Sequence, residues 1–199
     1  SGWPRAFRIG ATTSRVTRNG NDTDESGVQL GGMLDTPNHG ALTLEANLRS
    51  ADGSSYGSGN LVSLYQIGLP MNGGWLVNNS LGVSNVPAVD LARSQYRFFV
   101  PVMLSNGAAT EWRKAGNLQL HASIGQPGLL TGIYVPAFED LGGLQTSAGV
   151  QWNGGGLWSA ALQAADAEDV RTGIGPRSEA EEISAQSWFL AVSWGAADA

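Results

Sequence analysis

Gly40-Ala-Leu-Thr-Leu-Glu-Ala-Asn-Leu-Arg-Ser50 alternates without a fault from Leu42 to Arg49. Leu42, Leu44, Ala46 and Leu48 fall on one side; Thr43, Glu45, Asn47 and Arg49 fall on the other. A period of two marks a β-strand with one apolar and one polar face. A helix would scatter Leu, Glu, Asn and Arg around its whole surface. The same phrase returns along the chain. Leu118, Leu120, Ala122 and Ile124 oppose Gln119, His121 and Ser123, and Trp188, Leu190, Val192 and Trp194 share a phase near the end.

Working outward, about twelve strands are expected, antiparallel and without a convincing 3.6-residue period anywhere. Among them are Phe7–Val16, Val28–Leu34, Leu61–Leu69, Trp75–Val83, Gln95–Val100, Ala108–Arg113, a weak Leu129–Val135, Leu144–Trp152 and the strand carrying Trp158, Ala160, Leu162 and Ala164. Turns are read at 35–40, 70–74, 105–107, 126–128 and 153–156 from their Gly, Pro and Asn. Residues 17–27, 51–60, 84–94, 136–143 and 166–183 read as longer connections. Long and short therefore alternate, and only Lys114–Asn117 is short where a long one is due.

Composition narrows the class. The 199 residues make one domain, 1–199, long enough to enclose a core. Charged residues are 14%, against a usual ~25%. Gly, at 28 residues, is about twice its usual share. Polarity is thus carried by Gly, Ser, Asn, Gln and Thr. The net charge of −6 with a single lysine, Lys114, excludes the basic patch of a nucleic-acid binder. There is no Cys, and no apolar run long enough for a membrane helix. Ser1-Gly2-Trp3-Pro4 reads as a mature start or a cut edge rather than a signal peptide.

Alternating loop lengths, scarce charge and strands of nine to eleven residues fit a transmembrane β-barrel or a segment of one. Aromatics crowd the short turns, as an interfacial girdle does. Trp75 follows Gly74, Trp152 and Trp158 flank the 153–156 turn, and Trp194 ends the last strand. On this reading Thr43, Glu45, Asn47, Arg49, Gln119, His121 and Ser123 line a lumen, and the lipid bilayer is the partner. The alternative is a soluble β-sandwich or jelly roll with its leucines turned inward, a periplasmic or secreted module binding carbohydrate or protein. Were Leu44 and Leu120 packed in a core while Glu45 and Gln119 faced water, the lumen reading would fail.

Several stretches resemble the usher-like outer-membrane proteins of Gram-negative bacteria. These are Gly68-Leu-Pro-Met-Asn-Gly-Gly-Trp75, Asn79-Ser-Leu-Gly-Val83, Leu91-Ala-Arg-Ser-Gln-Tyr-Arg-Phe98, Thr110-Glu-Trp-Arg113 and Leu118-Gln-Leu-His-Ala-Ser-Ile-Gly-Gln-Pro-Gly128. The similarity runs from about Ser63 to Ala165. It implies a barrel in the bacterial outer membrane tied to export or assembly of surface fibres, with exported fibre subunits as partners. Fimbrial ushers are larger and carry a plug and periplasmic domains, so this chain reads as a barrel segment or a reduced relative. The family supplies no catalytic residues.

Catalytic and metal chemistry find little purchase. His121 and Ser123 share a strand face, which resembles the Ser–His arrangement of outer-membrane lipid A deacylases, but no Asn follows the Ser as it does there. A base within reach of a hydroxyl is the minimum for a nucleophile, and a structural pair is the commoner use. His39 reads as a turn residue. Asn21-Asp22-Thr23-Asp24-Glu25 has acids at Ca²⁺-like spacing but lacks the ligands of a full calcium loop, so it reads as a solvated loop. Asp166, Glu168, Asp169, Glu179, Glu181 and Glu182 read as a solvated acidic loop. Tyr56 is the one clear loop aromatic. The expectation is a non-enzymatic protein without metal or cofactor.

Overall fold

A computed structural model describes residues 3–18, 21–52, 57–94, 104–115, 117–132, 134–155, 158–171 and 181–195. It contains eleven strands: β1 (Arg5–Arg18), β2 (Asn21–Thr36), β3 (Gly40–Asp52), β4 (Gly59–Met71), β5 (Trp75–Asn85), β6 (Leu104–Lys114), β7 (Leu118–Thr131), β8 (Ala137–Asp140), β9 (Leu144–Gly154), β10 (Trp158–Arg171) and β11 (Glu182–Trp194). One short helix, α1 (Asp90–Ser94), follows β5. All strand pairs are antiparallel, in one sheet ordered β1-β2-β3-β4-β5-β6-β7-β9-β10-β11, with four-residue β8 pairing both β4 and β7. The all-β, antiparallel class expected from alternation is what the chain adopts. The expected strand 95–100, with Tyr96, Phe98 and Val100, and the aromatic Tyr56 lie outside the described residues.

Two expected turns are strand interior. Residues 105–107 belong to β6 and 126–128 to β7, and they face each other in register as Ser105↔Pro127, Asn106↔Gln126 and Gly107↔Gly125. The cause is close backbone approach. A Cβ at Gly107 would clash with the Ile124 carbonyl oxygen and the Gly125 Cα. Glycine is needed there for space, a second reason for a strand glycine beside turning. Other elements outrun expectation. β2 begins at Asn21, inside the expected polar loop; β10 runs to Arg171, through the expected acidic loop; β8 occupies part of 136–142. With 105–107 and 126–128 removed as turns, Lys114–Asn117 joins 37–39 and 72–74 among the short connections at one end of the sheet. That exception falls into line, but the β1–β2 connection at the opposite end, between Arg18 and Asn21, is two residues long where a long one was expected.

The sheet curls strongly. Arg49 on β3 donates through Nη2 to Thr131 Oγ1 on β7 at 2.9 Å. Those strands are four spacings apart in the sheet order, about 19 Å if the sheet were flat. β8 likewise reaches β4 and β7 together. The face carrying Arg49 and Thr131 is therefore concave.

The two faces differ in chemistry. Buried side chains on the concave face include Ser63, Gln119, His121, Gln145, Ser147, Gln151 and Gln163, none more than 6% exposed. The convex face carries Leu44 at 46%, Leu48 at 59%, Leu81 at 59%, Leu162 at 44% and Leu190 at 76% exposure. Leu120 is half-buried and Glu45 exposed. Twenty-seven large apolar side chains are exposed among the described residues, against ten buried apolar ones. This inverts the layering of a soluble domain.

Gly82 sets one bend. It has φ +89°, and a Cβ there would strike the Val62 carbonyl oxygen. Gly82→Ala is expected to destabilise by about 1–3 kcal/mol through backbone strain. Gly10→Ala, with nothing within 4 Å of its Cβ, is expected to stay within about 0.5 kcal/mol. Urea unfolding midpoints of the two variants, measured side by side in lipid vesicles, check the contrast.

Candidate functional site

The concave face is occupied by two segments folded in from the end of the sheet opposite the short turns. The first runs from Val86 through α1 and lies against β6, β7, β9 and β10. Alternation puts Gln119, Gln151 and Gln163 on the inward phase of three neighbouring strands, and register sets Gln119 beside Gln151. Their carbonyl oxygens accept the first free amides of the segment. Val89 N–H donates to Gln163 Oε1 at 3.0 Å, Asp90 N–H to Gln119 Oε1 at 3.1 Å and Leu91 N–H to Gln151 Oε1 at 2.8 Å. Amides at a helix start have no partner within the helix, so the wall supplies acceptors. Val89, Ala92 and Ala161 form a small buried cluster with Leu91 and Phe189 against it.

An ionic chain continues along the wall. Arg113 grips Asp90 with two parallel bonds, Nη1 to Oδ2 at 3.0 Å and Nη2 to Oδ1 at 2.9 Å. This is the fork geometry that makes Arg–carboxylate pairs specific. Arg113 also donates to Glu111 Oε1 through Nε at 3.1 Å and Nη2 at 2.8 Å. Glu111 further accepts from Gln119 Nε2 at 2.7 Å and Asn78 Nδ2 at 3.3 Å. Gln119 thus ties the segment's backbone to the acid beneath it.

His121 sits below, 4% exposed. Its Nε2 lies 3.2 Å from Gln163 Oε1, which also accepts Val89 N–H. An amide oxygen can only accept, so Nε2 carries the proton. Ser123 turns instead to Ser147, Oγ to Oγ at 2.7 Å. The base and the hydroxyl of the His-x-Ser pair thus have separate partners.

The second inward segment lies between β7 and β8 and carries Tyr134 and Val135. Glu25 Oε1 accepts the amides of Tyr134 at 3.0 Å and Val135 at 2.7 Å. Val135 is fully buried and seated on Gly27, where a Cβ would lie 2.8 Å from its Cγ1. Arg49, 6% exposed, also bonds the Gly57 carbonyl at 2.8 Å. Glu25, read from sequence as part of a solvated loop, is 5% exposed. Its neighbour Asp24 points to the other face and pairs with Arg15 at 2.7 Å. Among the described residues no group of three or more His, Cys, Asp or Glu is placed to hold a metal. The expected acidic loop is broken up: Asp166, Glu168 and Asp169 lie on β10 and Glu182 opens β11.

Of the expected lumen residues, Arg49, Gln119 and His121 are buried on the concave face. Thr43, Asn47 and Ser123 are half-buried, and Glu45 is open to it. Only Gln119, Arg49 and His121 touch or underlie an inward segment. Sequence reading passed over Glu25, Glu111, Arg113, Gln151 and Gln163. The phase of their strands marks them inward, but only the inward segments reveal what they hold. Trp112 lies beside one residue of the expected aromatic girdle. Trp75 meets Trp112 edge to face with centroids 6.1 Å apart, and Trp158 lies 6.1 Å from Trp194. Trp152, Trp158 and Trp194 are 52%, 52% and 70% exposed. All flank the short-turn end.

No protein family, curated protein or solved structure matches the chain.

Glu25→Ala is expected to leave two inward amides without an acceptor, at about 1–3 kcal/mol. Glu25→Gln keeps the acceptor oxygen. Hydrogen exchange of peptides covering Tyr134 and Val135 should quicken roughly ten- to a hundredfold in the first variant, and far less in the second.

Proposed function

We propose that this chain forms the wall of a β-barrel in a Gram-negative outer membrane, usher-like and non-enzymatic, serving a pore or the export and assembly of surface fibres. The inversion of the two faces carries the reading. In water, some ten convex apolar side chains left half exposed would forgo about 1 kcal/mol each. That sum rivals the whole net stability of a domain, about 5–15 kcal/mol. Acyl chains remove the penalty. The concave glutamines, serines and charges suit a wet lumen.

Further features agree. Apart from β8, the strands run eleven to sixteen residues, enough for a tilted crossing. Leu42 to Leu48 spans about 20 Å of strand, close to the outer apolar band of such barrels. Tryptophans mark one rim. No helix among the described residues is long and apolar enough to cross a membrane, so the strands carry the crossing. β1 and β11 each have a single neighbour in the sheet. Lipid tolerates no open edge, so each takes a further strand, from one another or from more of the barrel.

Leu44→Arg separates the readings. On a lipid-facing strand it costs about 2–4 kcal/mol; on a half-exposed soluble surface it stays within about 0.5 kcal/mol. Asn47→Arg, on the concave face, is the control. A large loss for Leu44→Arg in vesicle unfolding supports the barrel wall. A neutral Leu44→Arg in a protein that stays folded and monomeric in detergent-free buffer would overturn it.

A further inference from the structure

Both inward segments are held by buried groups, and the first carries an exposed ion pair as well. At the second, Val135 is fully buried, Glu25 is 5% exposed and Arg49 6%. Residues 86–94 are held by Gln119, Gln151 and Gln163, none more than 4% exposed, and by one small apolar cluster in which Val89 is fully buried. Their ion pair is wet, with the Arg113 and Asp90 side chains 40% and 46% exposed. A cavity of about 260 Å³, lined in part by Tyr65, Asn78, Ser84, Arg93 and Glu111, lies along the flank of the segment and gives it room to shift.

We propose that residues 86–94 are a releasable strap across the lumen, and that the Arg113–Asp90 fork is its latch. Arg113 is a positioning residue: Glu111 orients its guanidinium from the wall, and the two remaining parallel N–H groups take the strap's only described acid. Breaking the fork frees Asp90 and removes the ion pair, so that the strap rests on its amide-to-glutamine bonds, the Gln119 Nε2 bond to the Ala88 carbonyl at 3.3 Å and the Val89 cluster. Screening acts on exposed pairs, so salt favours release. That release widens a conducting path rests on the pore reading above.

The chain has no cysteine, so one can be placed at will. Ala92 is 6% exposed beneath the strap, and Ala92→Cys reports its release. Ser63, 2% exposed on β4 and bonded to the Val83 carbonyl, reports the wall as Ser63→Cys. The full chain in lipid vesicles is treated with a water-soluble maleimide. Labelling at position 92 should rise at least tenfold on Arg113→Ala or Asp90→Ala and rise with NaCl in the parent. Labelling at position 63 should not change. An unchanged rate at position 92, or an equal rise at position 63, overturns the strap. Bilayer conductance is recorded in parallel. Fast labelling at position 92 without conductance in any variant upholds the strap and overturns the pore reading instead.

Discussion

A polar side chain on the concave face needs a partner on that face, because its strand delivers it nowhere else, and among the described residues the buried exceptions include Arg49 Nε and Nη1, Ser105 Oγ, His121 Nδ1 and Gln145 Oε1. That constraint organises the protein. Alternation fixes which residues point inward, register sets them in rows, and the curl brings rows from distant strands together. Gln119, Gln151 and Gln163 come from three strands, yet their oxygens converge on three consecutive amides. Glu111 and Arg113 are two residues apart on one strand and meet side by side. An unpartnered polar group in such a place costs more than a made hydrogen bond contributes, so the inward segments complete the wall's hydrogen bonding.

The convex face follows from the same alternation and carries the opposite chemistry. Many of its leucines, valines and tryptophans are left exposed among the described residues. Apart from Trp188 in the middle of β11, the convex tryptophans gather where the strands shorten into turns, with Lys114 Nζ 5.8 Å from the Trp75 ring, a cation against an aromatic face. At the other end the convex surface turns polar, as the Arg15–Asp24 pair on the β1–β2 hairpin shows. An apolar belt between an aromatic rim and a polar rim is the pattern a bilayer selects.

Much of this could be read in the sequence. The faultless alternation of 42–49 and 118–124 gave strand, face and phase, and short Asn- and Gly-rich connections gave hairpins. Two kinds of information were missing. Asn106-Gly107 and Pro127-Gly128 look like turns, because glycine's need for a close cross-strand approach leaves the same trace as its need for a turn. The inward segments were invisible, since α1 is one turn long and its amphipathic pattern too short to register. Without them Gln163 and Arg113 looked like unremarkable polar positions. Glu25 was misplaced for a related reason: its acidic neighbours suggest solvent, while its strand phase points it inward to two amides.

The medium touching the convex leucines decides the account. A bimane label placed singly at positions 42 to 48 in bilayer-embedded protein measures it directly. Brominated acyl chains should quench labels at 42, 44, 46 and 48, and aqueous iodide those at 43, 45 and 47. Iodide quenching at the leucine positions, with bromolipid silent throughout, would contradict it.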